Sequence, residues 1–137
     1  MIFQNPSDES IRELLATPRT IAVVGCSPNP ARDSHRIAKL LQTKGHRVIP
    51  VNPGHQEILR EPCYGSLKEI PERIDMVDIF RRSEHVGPIV DEAIEVGAKS
   101  VWMQLGVIDE NAAAKAQEAG LMVVMDRCPA IEYRRLF

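Results

Sequence analysis

Residues 21–53, IAVVGCSPNPARDSHRIAKLLQTKGHRVIPVNP, constrain the fold of this chain more than any other stretch. A short β-branched apolar run ends at Gly25, a segment with apolar residues at helical spacing follows, and a second apolar run ends at Asn52-Pro53. Strand, glycine turn, helix and strand in that order make a βαβ unit, which joins two parallel strands. The same alternation continues to the end of the chain. Apolar runs at 20–25 (TIAVVG), 47–52 (RVIPVN), 76–80 (MVDIF), 100–104 (SVWMQ) and 122–126 (MVVMD) predict five strands. Helices are predicted over 7–16, with Ser7 as cap, and from Asp33 or Ser34, as cap, to Gly45. Two more follow over 83–96, where Gly87-Pro88 blurs the first turns, and over 109–118. Residues 54–71 read as irregular, and the tail CPAIEYRRLF as a cover for one end.

The expectation is an α/β fold: a Rossmann-like three-layer sandwich whose five-stranded parallel sheet, in the order 3-2-1-4-5, carries helices on both faces. One domain spanning 1–137 suffices for a chain of this length. Pro50 sits awkwardly in the second strand, because proline lacks a ladder donor and belongs at edges or bulges.

Composition narrows the function by exclusion. A net charge of −2 offers no basic face for nucleic acid, and no apolar run approaches the ~20 residues of a membrane span. The opening MIFQNPSDES lacks a basic region followed by an apolar stretch, so no secretory signal is expected and the location is read as cytoplasmic. Cys26, Cys63 and Cys128 form no CxxC pair, which points to free thiols rather than a zinc site or a disulfide framework.

In a sheet of this kind ligands bind outside the carboxyl ends of the strands, where the strand order reverses. The expected walls are Gly25-Cys26-Ser27, Asn52-Pro53, Phe80-Arg81-Arg82 and Gln104-Leu105-Gly106. Gly25 permits a sharp turn and close approach of a phosphate, helped by the amides of the following helix, Arg32, and the Ser27 and Ser34 hydroxyls. The three-glycine dinucleotide fingerprint is absent, and Asn52 stands where NAD sites place an acid. An uncharged Asn52 near His35, Arg36 and Lys39 tolerates a phosphorylated ribose, which leaves NADP or coenzyme A.

The runs VVGCSPNPARDSHRIAKLL, VIPVNP, EILREPCYGSLKEIP, VDIFRRSE, VWMQLGVIDENAA and AGLMVVMDRCPAIE together resemble the small CoA-binding Rossmann proteins, related to the CoA-binding domain of the succinyl-CoA synthetase alpha subunit. The resemblance implies cytoplasmic binding of CoA, often without an assigned reaction. By position it implies that Gly25, Ser27 and Arg32 hold the pyrophosphate and that Val51, Asn52 and Pro53 flank the adenosine. Phe80, Arg81 and Arg82 would line the adjoining wall, and Met103, Gln104 and Gly106 the pantetheine arm. Cys26 occupies a place where that family commonly has alanine. The phosphorylated histidine of the synthetase lies in another domain, so its activity is not implied.

Three functions follow as candidates. The first is a module binding CoA or acyl-CoA, either non-catalytic or regulatory, with the protein partner left open. The second is an enzyme acting on an acyl-CoA thioester through Cys128 or Glu132, and the third an NADP-dependent reductase. A mixed disulfide of Cys26 or Cys128 with CoA is a further expectation, while His46, His55 and His85 read as surface residues and Trp102 as core. Arg81→Ala and a bulky residue at Gly25 are expected to weaken CoA binding without unfolding the domain.

Overall fold

The computed structural model describes residues 3–137. Seven strands and five α-helices follow one another as α1 (Asp8–Ala16), β1 (Thr20–Val24), α2 (Asp33–Thr43), β2 (Arg47–Val51), β3 (Glu57–Ile58), β4 (Glu61–Pro62), β5 (Met76–Ile79), α3 (Val86–Glu95), β6 (Ser100–Met103), α4 (Glu110–Glu118), β7 (Met122–Val124) and α5 (Pro129–Leu136). Five of the strands form one parallel sheet, and β3 and β4 make a separate small hairpin. Successive residues of the central strands point to opposite faces, and both faces are covered, so the runs are apolar throughout rather than alternating. On one face Ala22, Val77, Ile79 and Val101 pack with Val90 and Ala93 of α3 and Ala113 and Ala116 of α4. On the other, Ile21, Val23, Met76 and Trp102 pack with Ile11 and Leu15 of α1, Leu41 of α2 and Tyr133 of α5.

The expected five-stranded parallel Rossmann-like sheet with helices on both faces is what forms. Its strand order requires a correction. The sheet runs β2-β1-β5-β6-β7, so the third parallel strand lies beside the first and not outside the second. Pro50 supplies the reason. The Pro50 carbonyl faces the outer side of β2, where it accepts from Tyr64 N–H at 3.1 Å. The missing proline donor faces the same side, so a full ladder cannot form there and β2 is left at the edge. The reversal of strand order thus falls between β1 and β5.

Two further expectations are refined. A 3₁₀ turn at Ser83–His85 precedes α3, which places Pro88 in the first helical turn, where no intrahelical amide bond is lost. The tail does more than cover one end. Pro129 opens α5, whose Tyr133 is buried against α1 and α2. At the far sheet edge, Asn5 uses both ends of its amide on Met125, donating to its carbonyl at 3.0 Å and accepting from its N–H at 2.8 Å. The side chain thereby satisfies backbone groups just beyond β7.

His46 is buried, against the expectation of a surface histidine. Arg19 N–H donates to its Nδ1 at 3.0 Å, so Nε2 carries the proton and donates to Tyr133 Oη at 2.8 Å. Tyr133 in turn donates to the Leu15 carbonyl at 3.0 Å, linking α1, β2 and α5. Burial holds the His46 pKa below its ordinary value. An unfolded chain therefore takes up this proton more readily as pH falls below the usual histidine range, and the His46 contribution to stability is lost there. Urea melts of wild type and His46→Gln between pH 8 and pH 5 check the sign. The stability advantage of wild type is expected to shrink toward pH 5.

Candidate nucleotide-binding site

The site grows out of the turn after β1. Gly25 has φ +85° and donates its N–H to the Val51 carbonyl at 2.8 Å, which fixes the turn against β2. A Cβ built on Gly25 would lie 2.2 Å from the Phe80 carbonyl oxygen and 3.4 Å from Arg81 Nε. Glycine is required both by the backbone angle and by the approach of the β5 loop. The β1–β5 boundary is also where the strand order reverses, the place such sheets reserve for ligands.

Around that turn opens a cleft of about 920 Å³. The loop after β1 contributes Gly25 and Ser27, the start of α2 contributes Arg32, Asp33, Ser34 and Arg36, and the loop after β5 contributes Phe80, Arg81 and Arg82. Gln104, Leu105, Val107 and Cys128 close the far end. Four arginines face one aspartate, so the lining favours an anion. Arg36 pairs with Asp33, and Arg82 lies 3.8 Å from Glu84. Arg32 and Arg81 have no ion pair among the described residues. The N-cap of α2 is Arg32, whose side chain makes no capping bond, so the first helical amides lack a side-chain partner.

Ser34 is not the cap. It lies inside α2, where its hydroxyl accepts from Ser27 N–H at 2.9 Å and holds the loop closed. Ser27 Oγ likewise accepts from Asn29 N–H at 3.0 Å. Asn52 is a latch as well: its Nδ2 donates to the Cys26 carbonyl at 2.9 Å, tying the end of β2 to the turn. The uncharged side chain at that place is thus explained by a backbone contact.

A second pocket of about 180 Å³ lies on the other side of Arg81, which borders both. Its walls are Val24, Val51 and Pro53 on the sheet side and Ser66, Leu67, Pro88 and Ile89 opposite. The structure therefore brings Gly25, Ser27, Arg32, Ser34, Phe80, Arg81, Arg82 and Gln104 into one cleft, and Val51 and Pro53 into its neighbour. It does not bring Cys26, Lys39, Asn52, Met103 or Gly106 to either wall. Cys26 and Met103 are buried in opposite cores, Lys39 is exposed elsewhere on α2, and the Gly106 N–H is taken by Asp126 Oδ1 at 2.7 Å.

Burial pushes the Cys26 thiol up to about 12, which withdraws it from disulfide chemistry with a ligand. Cys128 is half-buried at the cleft wall. Glu132 is buried outside the cleft, and Arg135 donates to both its oxygens, at 2.8 and 3.4 Å. Trp102 is fully buried, and its indole N–H donates to the Arg127 carbonyl at 2.9 Å.

Sequence reading missed one feature beneath the cleft. Asp78, in the middle of β5, is fully buried; Gln104 Nε2 donates to its Oδ1, and its Oδ2 has no partner among the described residues. Burial pushes the Asp78 carboxyl up to about 7, only partly offset by the Gln104 bond. The aspartate inside the apolar run MVDIF was the available signal.

Among the described residues no cluster of His, Cys, Asp and Glu could hold a metal ion, and no helix is long and apolar enough to cross a membrane.

A profile of the family described as CoA binding domain matches residues 19–134. The chain is similar to the protein YneT of Bacillus subtilis, at 43% identity over 92% of this chain and 93% of that protein. It is also similar, at 29% identity over 85% of its length, to acetate–CoA ligase (ADP-forming) I of Archaeoglobus fulgidus, of which the match spans only 18%. A solved hypothetical protein from Pyrococcus horikoshii OT3 superimposes with TM-score 0.91 at 41% identity, covering 99% of each chain.

Proposed function

The chain belongs to the CoA-binding domain family, and on that premise we propose that its cleft at the β1–β5 boundary binds coenzyme A or an acyl-CoA, as a binding or regulatory module with no chemistry of its own. One observation carries this reading: an uncapped helix N-terminus, a glycine with no room for a Cβ, and the unpaired Arg32 and Arg81 converge on one edge of the sheet. Backbone amides at a helix start and arginine guanidinium groups are the chemistry that holds a pyrophosphate. The residues thus fit an anionic nucleotide.

In this reading the nucleotide end enters the smaller pocket, with Val51 and Pro53 against the adenosine, and Arg81 at the junction takes the pyrophosphate. The arm runs along the larger cleft past Gln104, whose amide N–H is committed to Asp78, toward Leu105 and Cys128. Two adjoining pockets on either side of an arginine suit a ligand with a rigid head and a long flexible arm.

Titration calorimetry on Arg81→Ala tests the proposal. A charge-assisted hydrogen bond is worth about 1.5–3 kcal/mol, so CoA affinity is expected to fall about 10- to 150-fold. Arg81 is exposed and carries no ion pair among the described residues, so stability should stay within about 0.5 kcal/mol of wild type. Unchanged affinity in a folded variant would place the ligand elsewhere.

A further inference from the structure

Beside the far end of the cleft lies a groove of about 470 Å³ that shares Leu105 and Cys128 with it. Five large apolar side chains stand exposed among the described residues, and three of them line this groove: Leu105 at 62%, Ile108 at 48% and Ile131 at 41%. Met125 and the partly buried Phe3 complete the apolar wall. Much of the polar lining is already satisfied. Asn5 is bonded at both ends to Met125, one oxygen of Asp126 holds the Gly106 N–H, and Glu132 is engaged by Arg135. Glu110 and Arg127 supply charge at the wall. The groove contrasts with the arginine-rich end of the cleft, where a phosphate would sit.

We propose that this groove receives the hydrocarbon chain of an acyl-CoA, so that the preferred ligand is a medium-chain acyl thioester rather than free CoA. The inference rests on the placement of CoA given above. With the pyrophosphate at Arg81 and the start of α2, the arm points toward Leu105 and Cys128, and the thioester end arrives where the groove begins. An acyl chain leaving that point meets apolar surface at once, whereas the thiol of free CoA leaves it exposed. Each methylene transferred from water to such a surface is worth about fourfold in affinity, so a chain of eight carbons that buries only part of its length gains at least about tenfold.

The test is calorimetric titration of the full chain with CoA, butyryl-CoA and octanoyl-CoA, in wild type and in Ile131→Glu. Ile131 lies on the exposed side of α5 and outside the main cleft, so the variant retains the CoA site. The expected result is affinity rising with chain length in wild type, to at least about tenfold for octanoyl-CoA over CoA. In Ile131→Glu that gain should disappear while the affinity for CoA stays within about twofold. Equal affinity of wild type for CoA and octanoyl-CoA would overturn the acyl groove and leave the CoA site standing. Failure of all three to bind would overturn both. Sedimentation of the two chains without ligand adds a separate check: a wild-type dimer that Ile131→Glu dissolves would assign the groove to a second copy and overturn the proposal.

Discussion

Gly25→Ala is expected to abolish measurable CoA binding and to lower stability by about 2–4 kcal/mol. The two effects have one cause. The new methyl group would meet the Phe80 carbonyl oxygen at 2.2 Å, and the turn would have to hold φ +85°, which side chains other than glycine rarely adopt. Relief requires β1 and β5 to separate at their carboxyl ends. That movement stretches the hydrogen bond from Phe80 N–H to the Val24 carbonyl, now 2.8 Å, and shifts Arg81 with the loop. Sequence reading alone leads to lost binding without lost stability, because a glycine turn looks like loop. The close approach of Phe80 adds the second effect. Calorimetric titration gives the binding loss, and urea denaturation of the same variant gives the stability loss. A variant as stable as wild type would show that the turn has room the structure denies it.

Asp78 carries the other large effect, and it depends on pH. With its carboxyl pushed up to about 7, the folded chain holds this proton from about pH 4 to about pH 7 while the unfolded chain releases it near pH 4. The Asp78 contribution is therefore most favourable below pH 4 and is lost as pH rises to 7. Asp78→Asn removes the proton and keeps the shape. Its stability relative to wild type is expected to climb by about 1.4 kcal/mol per pH unit between pH 4 and pH 7, then level off. A constant offset accompanies the slope, since the new amide N–H₂ lies where Oδ2 has no partner among the described residues. Melts in urea at pH 4, 5, 6, 7 and 8 read the difference. A gap that does not change with pH would mean that Asp78 ionises as an exposed carboxylate does. His46 pulls the wild-type profile the opposite way on acidification, and for that reason the test compares two chains rather than one curve.

Much of the fold was legible because local chemistry and global architecture agree. Gly25 and Gly45 both adopt positive φ at the turns where the sequence placed them. Asp109 caps α4 through its side chain, and Ser7 caps α1. Strand order was less legible. Periodicity reports which residues are apolar but not which strand a crossover returns to, and Pro50 was the one residue that spoke against an interior β2. The tail hid its helix because α5 is short and exposes Arg134 and Arg135, so only Pro129 and Tyr133 marked it.

The site divides along the same line. Residues that act through backbone and position, such as Gly25 and Phe80, fell where the fold put them. Residues whose role depends on what a side chain touches did not follow from sequence. Asn52 and Ser34 are occupied by backbone partners; Met103 follows the strand alternation into one core, while the turn at Gly25 breaks that alternation and leaves Cys26 in the other core, opposite Val24. The smaller pocket depends on Ser66, Leu67 and Ile89, which come from a loop and a helix that only the folded chain places together.

Titration of CoA into the wild-type chain at neutral pH is the most direct measurement of what the β1–β5 cleft is for. The predicted result is saturable heat with one CoA per chain and weaker heat from adenosine alone, since adenosine lacks the pyrophosphate proposed above for Arg32 and Arg81, which line the cleft. No saturable heat with CoA at millimolar concentration, from a chain shown to be folded, would contradict it.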